Sequence, residues 1–418
     1  MGSPRIAFLL ATLAIAAYAP FLSFPFIANS FIEIPVSRLL GSWPGLTPLI
    51  TNPNWHFRIV YVLANSWIEQ VFGFSPKPFY VASLCFHACT VLLVYGLGRW
   101  RALQHSAALW SAGFFAVYQA HHGAVVSLAC WPDLLATLFA CASFYCWIRW
   151  FQGNSKTSYA LALVWYLGAL VSNETGFIVV LLLTLPLFTT QSLSRTKVLS
   201  LIPFGVLAVA AVAIQLSFRP RPVAWSDSLP PLDSWWITLA WACVACVLAW
   251  VARDRECWKV LAASAGWIFA VFLDGLYVSH VLHVSGSTNY LASVGLALMV
   301  GTGFSKLQRR LPISAVAAIA IAVSVINGGV LWTKSRRQML GFAAPTQALI
   351  NAAAFARGPV ELSCFPYVFE VAQAAVGSIG EQISPQKREA DIKTPHCVSF
   401  RYRDSLGNVR QVFLHSAI

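Results

Sequence analysis

Residues 157–190 read TSYALALVWYLGALVSNETGFIVVLLLTLPLFTT, two apolar runs parted by Ser172, Asn173, Glu174 and Thr175. A helix needs about 20 apolar residues to cross the hydrocarbon core of a bilayer, and polar side chains there need water or protein partners. The stretch therefore predicts a membrane hairpin, with spans at 157–172 and 175–190 and a polar turn between them.

The rest of the chain has the same character. Of its 418 residues 58% are hydrophobic and 10% charged, against about 25% charged in a typical soluble domain, and its mean hydropathy is +0.67. An ordinary soluble enzyme is excluded. Apolar segments at 5–27, 78–97, 105–120, 132–150, 198–217, 234–252, 258–279, 288–305 and 312–333 join the hairpin to make about eleven spans. The reading is an all-α polytopic membrane protein. The 28 basic and 15 acidic residues leave +13; in a soluble protein that suggests nucleic acid, but in a membrane chain placement counts for more than the total.

With the N-terminus inside, one set of short loops collects Arg5, Arg99, Arg101, Arg149, Lys156, Arg195, Lys197, Arg253, Arg255, Lys259, Lys306, Arg309 and Arg310. The opposite, longer loops hold Arg38, Arg58, Lys77, Arg219 and Arg221. Basic residues are retained on the cytoplasmic side, so the N-terminus is expected there and the C-terminal tail outside. A cleaved signal peptide is the alternative for the first run, but no small-residue cleavage site precedes Pro25 and more spans follow.

Two domains are expected. Residues 1–337 form the membrane domain, with 28–77 as a first outer loop carrying an interfacial helix around Trp67 and Glu69. Residues 338–418 form a small extracytoplasmic α+β domain: a helix at 345–357, a strand at 360–364, a second helix at 367–377, and a hairpin of 396–402 and 409–415 around the turn residues Asp404 to Asn408. Cys364 and Cys397 both fall in this tail, where a disulfide and two free thiols are equally open readings. The other cysteines sit in or beside apolar runs and read as packing residues; the Cys243/Cys246 pair lacks the second pair or His cluster of a zinc site.

Chemistry is expected among polar groups at the outer side, because ionisable residues in a membrane are costly. The outer loops and span ends hold Asn29, Glu33, His56, Arg58, Glu69, His121, His122, Asp133, Glu174, Arg219, Arg221, Asp227, Asp233, Asp274, His280 and His283. Arg58 reads as a phosphate ligand or a lipid headgroup anchor. His121 and His122 read as pyrophosphate or metal contacts or as interfacial residues, and Asp133 as a site residue or a cap facing the helix dipole. Glu174 reads as a site or cavity residue, and mid-span His87 as a hydrogen-bonded core residue.

The segment Tyr118–Phe139, YQAHHGAVVSLACWPDLLATLF, resembles one in GT-C type polytopic glycosyltransferases that use polyprenyl-phosphate sugars, especially bacterial relatives of protein O-mannosyltransferases and the membrane part of tetratricopeptide-containing mannosyltransferases. His121 and Asp133-Leu134-Leu135 match its outward His and Asp-Leu-Leu; Gly123 and Trp131 stand where the family has an acid and often a base. In chain order, Phe57-Arg58 resembles Phe-Arg-Pro, Phe72 to Pro76 resembles Phe-Gly-x-x-Pro, and His87 matches a span His. Val171 to Glu174 resembles Leu-Ser-Lys-Glu, and Asn289 to Gly295 resembles Arg-Tyr-Leu-Tyr-x-Pro-Ser-x-Gly without its Arg and Pro. The resemblance covers about 5–335.

The resemblance implies a GT-C-like fold and transfer of a sugar from a polyprenyl-phosphate donor to an extracytoplasmic glycan, lipid or protein, with inversion at C1, at a bacterial inner membrane. Where the family carries an Asp after the first span this chain has Asn29 and Glu33. Asn29 cannot take a proton, which leaves Glu33 as candidate base, one helical turn away. Arg58 is then a phosphate ligand, with His121, His122, Asp133, Glu174 and Asn29 as substrate-binding groups. No metal site or cofactor is demanded, and the lack of a nucleotide-binding Gly-rich loop agrees with a lipid-linked donor. Membrane lipid, lipid-linked sugar and acceptor are the expected partners, and no nucleic acid.

The missing first-loop Asp, the missing acid at Gly123 and the missing Arg at Asn289 equally suit a non-catalytic GT-C-like subunit that binds lipid-linked sugar or protein partners. A secondary transporter predicts related halves, and the sequence shows no such repeat.

Overall fold

The computed structural model describes residues 4–45, 47, 58–189, 194–217, 239–244, 246–247, 255–280, 289–386, 392–394 and 397–415. Six of its helical stretches are long and apolar enough to cross a membrane: Pro4–Ser23, Pro76–Arg99, Leu128–Gly153, Arg195–Ser217, Asn289–Leu307 and Ile313–Ala353. Glu174–Thr189 and Trp258–Leu273 are shorter apolar helices. The expected spans at 105–120 and 157–172 appear as helices of 13 and 15 residues. Much of the expected span at 234–252 lies outside the described residues.

The helices follow in chain order. α1 is Pro4–Tyr18, α2 Ser30–Leu40, α3 Ile59–Phe72, α4 Pro76–Gly96 and α5 His105–Val117. After the short α6, His122–Val126, come α7 Trp131–Gly153, α8 Lys156–Leu170, α9 Val179–Thr189, α10 Arg195–Leu199 and α11 Ile202–Ser217. α12 is Arg255–His280, α13 Asn289–Leu307, α14 Ile313–Val330, α15 Arg336–Ala353 and α16 Phe369–Gly377.

α13 is the centre of the bundle. All but its ends are buried, and a helix apolar all round belongs in an interior. Its glycines set how close the neighbours come: a Cβ on Gly301 meets Ser111 and the Ala107 carbonyl of α5, and one on Gly295 meets Ser264 and Trp267 of α12. Small residues at a crossing let membrane helices approach without a hydrophobic driving force. Arg99, just after α4, and Arg149, near the end of α7, both lie over the Tyr145 ring, and Arg309 donates to Gln104 at 2.8 Å.

Residues 30–40, expected as part of a Pro- and Trp-rich loop, form α2. Ala28 precedes it with φ of 32°, a backbone turn unfavourable to a residue bearing a Cβ. Ala28 is buried in the core of the C-terminal domain, with Ile27 and Ile32 packed against it. α2 thus lies between the membrane bundle and the tail.

A π-turn at Leu331–Ser335 joins α14 to α15, so one continuous helix runs from Ile313 to Ala353. The helix expected at 345–357 is the end of this element, which passes through the expected domain boundary. Beyond it the sheet has the order β2-β1-β3-β4, built from β1 Val360–Cys364, β2 Ile383–Pro385, β3 Cys397–Arg403 and β4 Val409–His415. β2 is parallel to β1, and β3 is antiparallel to both β1 and β4. Val360, Leu362, Val398 and Phe400 turn inward against Val371, Ala372 and Val376 of α16 and Leu349 of α15. Cys364 and Cys397 are disulfide-bonded, with Cα atoms 5.8 Å apart.

Candidate functional site

Four sequence-distant segments bring charged groups together at the ends of the helices. Arg58 stands at the N-cap of α3, and its Nε donates to Glu174 Oε1 at 3.1 Å. Glu174 opens the short 3-10 turn Glu174–Ile178 after α8, where Asn173 accepts a hydrogen bond from the Thr175 amide at 3.0 Å. The same Asn173 donates from Nδ2 to Asp133 Oδ1 at 2.6 Å, and Asp133 lies in the first turn of α7. Gln215 of α11 donates to the Glu174 backbone carbonyl at 2.8 Å. The turn that interrupts the apolar hairpin is therefore held from three sides.

The fourth segment is α2. Glu33 lies in its first turn, and the Tyr61 hydroxyl donates to Glu33 Oε2 at 2.6 Å. Burial pushes the Glu33 carboxyl above its ordinary value, while the Tyr61 hydrogen bond and the Arg58 charge pull it back. Burial opposes the Arg58 charge, but the carboxylates of Glu174, Asp133 and Glu33 outweigh that cost and raise it. One guanidinium thus sits among three carboxylates, with side-chain exposures of 22% for Arg58 and 10% for Glu174.

The other expected site residues lie elsewhere. Asn29 caps α2 through its backbone carbonyl, which accepts from the Glu33 amide at 2.9 Å; its side chain is exposed and makes no capping bond. The position of the missing Asp is therefore on the outer surface of the turn, and Glu33 is the residue beside Arg58. His121 is buried among Phe115, Tyr118 and Tyr290, and its Nε2 lies 2.6 Å from Ser293 Oγ. It joins His87, which lies 2.7 Å from the Tyr290 hydroxyl. This pair ties the Gln119–His121 turn and α4 to α13. His122 is half-buried with Nδ1 2.9 Å from the Gln119 carbonyl oxygen. His56, Arg219, Arg221, Asp227, Asp233 and His283, and the side chains of Asp274 and His280, lie outside the described residues.

Two members of the cluster were not expected. Tyr61 follows Arg58 by three residues, in the first turn of the helix that Arg58 caps. Asn173 adjoins Glu174 in the polar turn. Among the described residues no group of three or more His, Cys, Asp or Glu is placed to hold a metal ion. Glu174 and Asp133 instead face Arg58 and Asn173.

No family model and no curated protein matches this sequence. Solved structures do. The crystal structure of the Archaeoglobus fulgidus oligosaccharyltransferase, tethered to an acceptor peptide containing the NVT sequon, matches over 83% of this chain with 11% identity and a TM-score of 0.50. This chain has the GT-C fold. It spans 57% of the length of that oligosaccharyltransferase. The same archaeal enzyme, AglB, in complex with an inhibitory peptide and a dolichol-phosphate, matches over 83% of this chain with 10% identity and a TM-score of 0.48. In this chain, α2 and the bundle end bearing Asp133 and Glu174 frame the charged cluster.

Proposed function

We propose that this chain is a membrane glycosyltransferase that moves a sugar from a polyprenyl-phosphate donor to an extracytoplasmic acceptor, with inversion at C1. The observation that carries the reading is the convergence of Glu33, Arg58, Asp133 and Glu174 from four segments of a GT-C fold. The acceptor's nucleophilic oxygen or nitrogen attacks C1 of the sugar and its proton passes to the Glu33 carboxylate. The bond from C1 to the phosphate oxygen breaks, and its electron pair leaves with polyprenyl phosphate. Arg58 meets the charge that develops there, oriented by Glu174. Asp133 and Asn173 support the turn that carries Glu174, while His121, His122 and Asn29, which lie elsewhere, take no part in this step.

The reading also carries the placement in the cell. Residues 1–337 form the membrane domain of a bacterial inner-membrane protein with a cytoplasmic N-terminus, and 338–418 the domain outside. The disulfide favours an oxidising compartment for the tail.

A second reading, a non-catalytic GT-C-like subunit, has one observation in its favour: Arg58 and Asp133 already have partners within the protein, Glu174 and Asn173. The experiment incubates the purified protein in lipid with a panel of polyprenyl-phosphate sugars and follows polyprenyl phosphate by mass spectrometry. Release that depends on Glu33 is expected. Donor binding with no release from any sugar overturns catalysis in favour of the second reading.

A further inference from the structure

Glu33 has two carboxylate oxygens in different surroundings. Oε2 accepts the Tyr61 hydrogen bond at 2.6 Å. Oε1 accepts no hydrogen bond among the described residues, yet it is not sealed off as a buried, unpartnered oxygen. Tyr61 itself is immobilised. Its side chain is 1% exposed, and its ring meets Trp131 edge-on at 6.5 Å between centroids. Trp131, fully buried at the start of α7, is tied in turn by its indole N–H to Ser83 of α4. A rigid chain of contacts therefore runs from the bundle core to one oxygen of Glu33.

We propose that Tyr61 is a positioning residue for Glu33, fixing one carboxylate oxygen so that the other faces the acceptor. The proposal rests on Glu33 being the base. A carboxylate on a surface helix samples several rotamers, and each wrong one removes the base from the attacking atom; a single strong donor on a buried ring restricts it. Because Arg58 caps α3 and Tyr61 lies in its first turn, the group that meets the leaving phosphate and the group that orients the base are both carried by the start of one helix.

The hydrogen bond also favours the ionised form of Glu33, so its loss makes protonation easier. Other charges about α2 are Arg58, which faces Glu33, with Glu174 and Asp133 beyond it; Glu69 on α3, paired to Arg38; and Glu370 of α16. None of these is altered by removing the Tyr61 hydroxyl.

The experiment compares wild type, Tyr61→Phe, Glu33→Gln and the double variant for polyprenyl phosphate release across pH, with donor binding and thermal melting as checks of folding. Tyr61→Phe is expected to bind donor normally and to shift the acid limb of kcat/KM upward by about one pH unit, a tenfold loss below it. In the Glu33→Gln background it is expected to change nothing further, because its effect passes through Glu33. A Tyr61→Phe profile that superimposes on wild type, or an equal loss at every pH and in both backgrounds, overturns the positioning role and leaves the glycosyltransferase reading intact. Full release by Glu33→Gln overturns the assignment of the base, and the role of Tyr61 with it.

Discussion

The Arg58 guanidinium and the Glu174 carboxylate, 116 residues apart, meet at 3.1 Å and tie the start of α3 to the turn after α8. The Val60 amide repeats the tie, donating to the Val171 carbonyl at 3.2 Å. Removing one partner of a largely buried pair leaves the other charge without compensation. Arg58→Ala is expected to destabilise the protein by about 3 kcal/mol and abolish polyprenyl phosphate release. Arg58→Lys keeps the charge, loses the planar fork, and is expected to retain folding with reduced release. Melting of both variants in lipid, beside their release rates, checks this.

Glu33→Gln is nearly isosteric and keeps an acceptor for the Tyr61 hydroxyl. It is expected to lower release by about 10² to 10⁴-fold, with melting unchanged. Because burial raises the Glu33 carboxyl above its ordinary value, the proposed base is protonated and lost as pH falls through that raised value. The acid limb of the wild-type rate profile is expected there, and a limb at or below about 4 contradicts it.

The Cys364–Cys397 bridge closes a separation of 33 residues between β1 and β3. Replacing both by Ser is expected to destabilise the C-terminal domain by about 3–4 kcal/mol, read as earlier proteolysis of the tail on heating. Reductant is expected to bring wild type to the same behaviour and leave the variant unaffected.

Gly301 sits where α13 crosses α5, and any Cβ there meets Ser111 and the Ala107 carbonyl. Gly301→Ala is expected to cost about 1–3 kcal/mol by overpacking. Gly328 on α14 has open space at the same point, so Gly328→Ala is expected to be neutral or slightly stabilising. Paired thermal melts test the contrast.

The membrane class and much of the tail were legible because each rests on a local pattern. Alternation placed β1 at 360–364, and the turn residues Asp404 to Asn408 placed the β3–β4 hairpin almost to the residue. Arg58, Asp133 and Glu174 stood out because charge in so apolar a chain needs a partner. α2 was missed because 28–77 read as an outer loop with one interfacial helix, whereas packing against α3 and the tail stabilises a further helix there. His121 was expected on the outer side with the charged residues but is buried beside Ser293, since the height of a residue along a bundle does not tell which way its side chain turns.

The amino-acid sequence by itself determined that this chain lives in lipid, because burial of apolar residues and the cost of charge are summed along the chain and need no partner to be evaluated. It also limited the chemistry to a few ionisable groups. Which of them act together was decided only in three dimensions. That Glu33 stands beside Arg58 while the Asn29 side chain is exposed follows from the direction of one helix, set by Ala28 and by contacts with α3, and the partners of Arg58 come from segments far away in the chain. Hydrogen bonds and ion pairs reach only a few ångströms, so which groups form them depends on how distant segments pack, and a one-dimensional pattern carries no such distance.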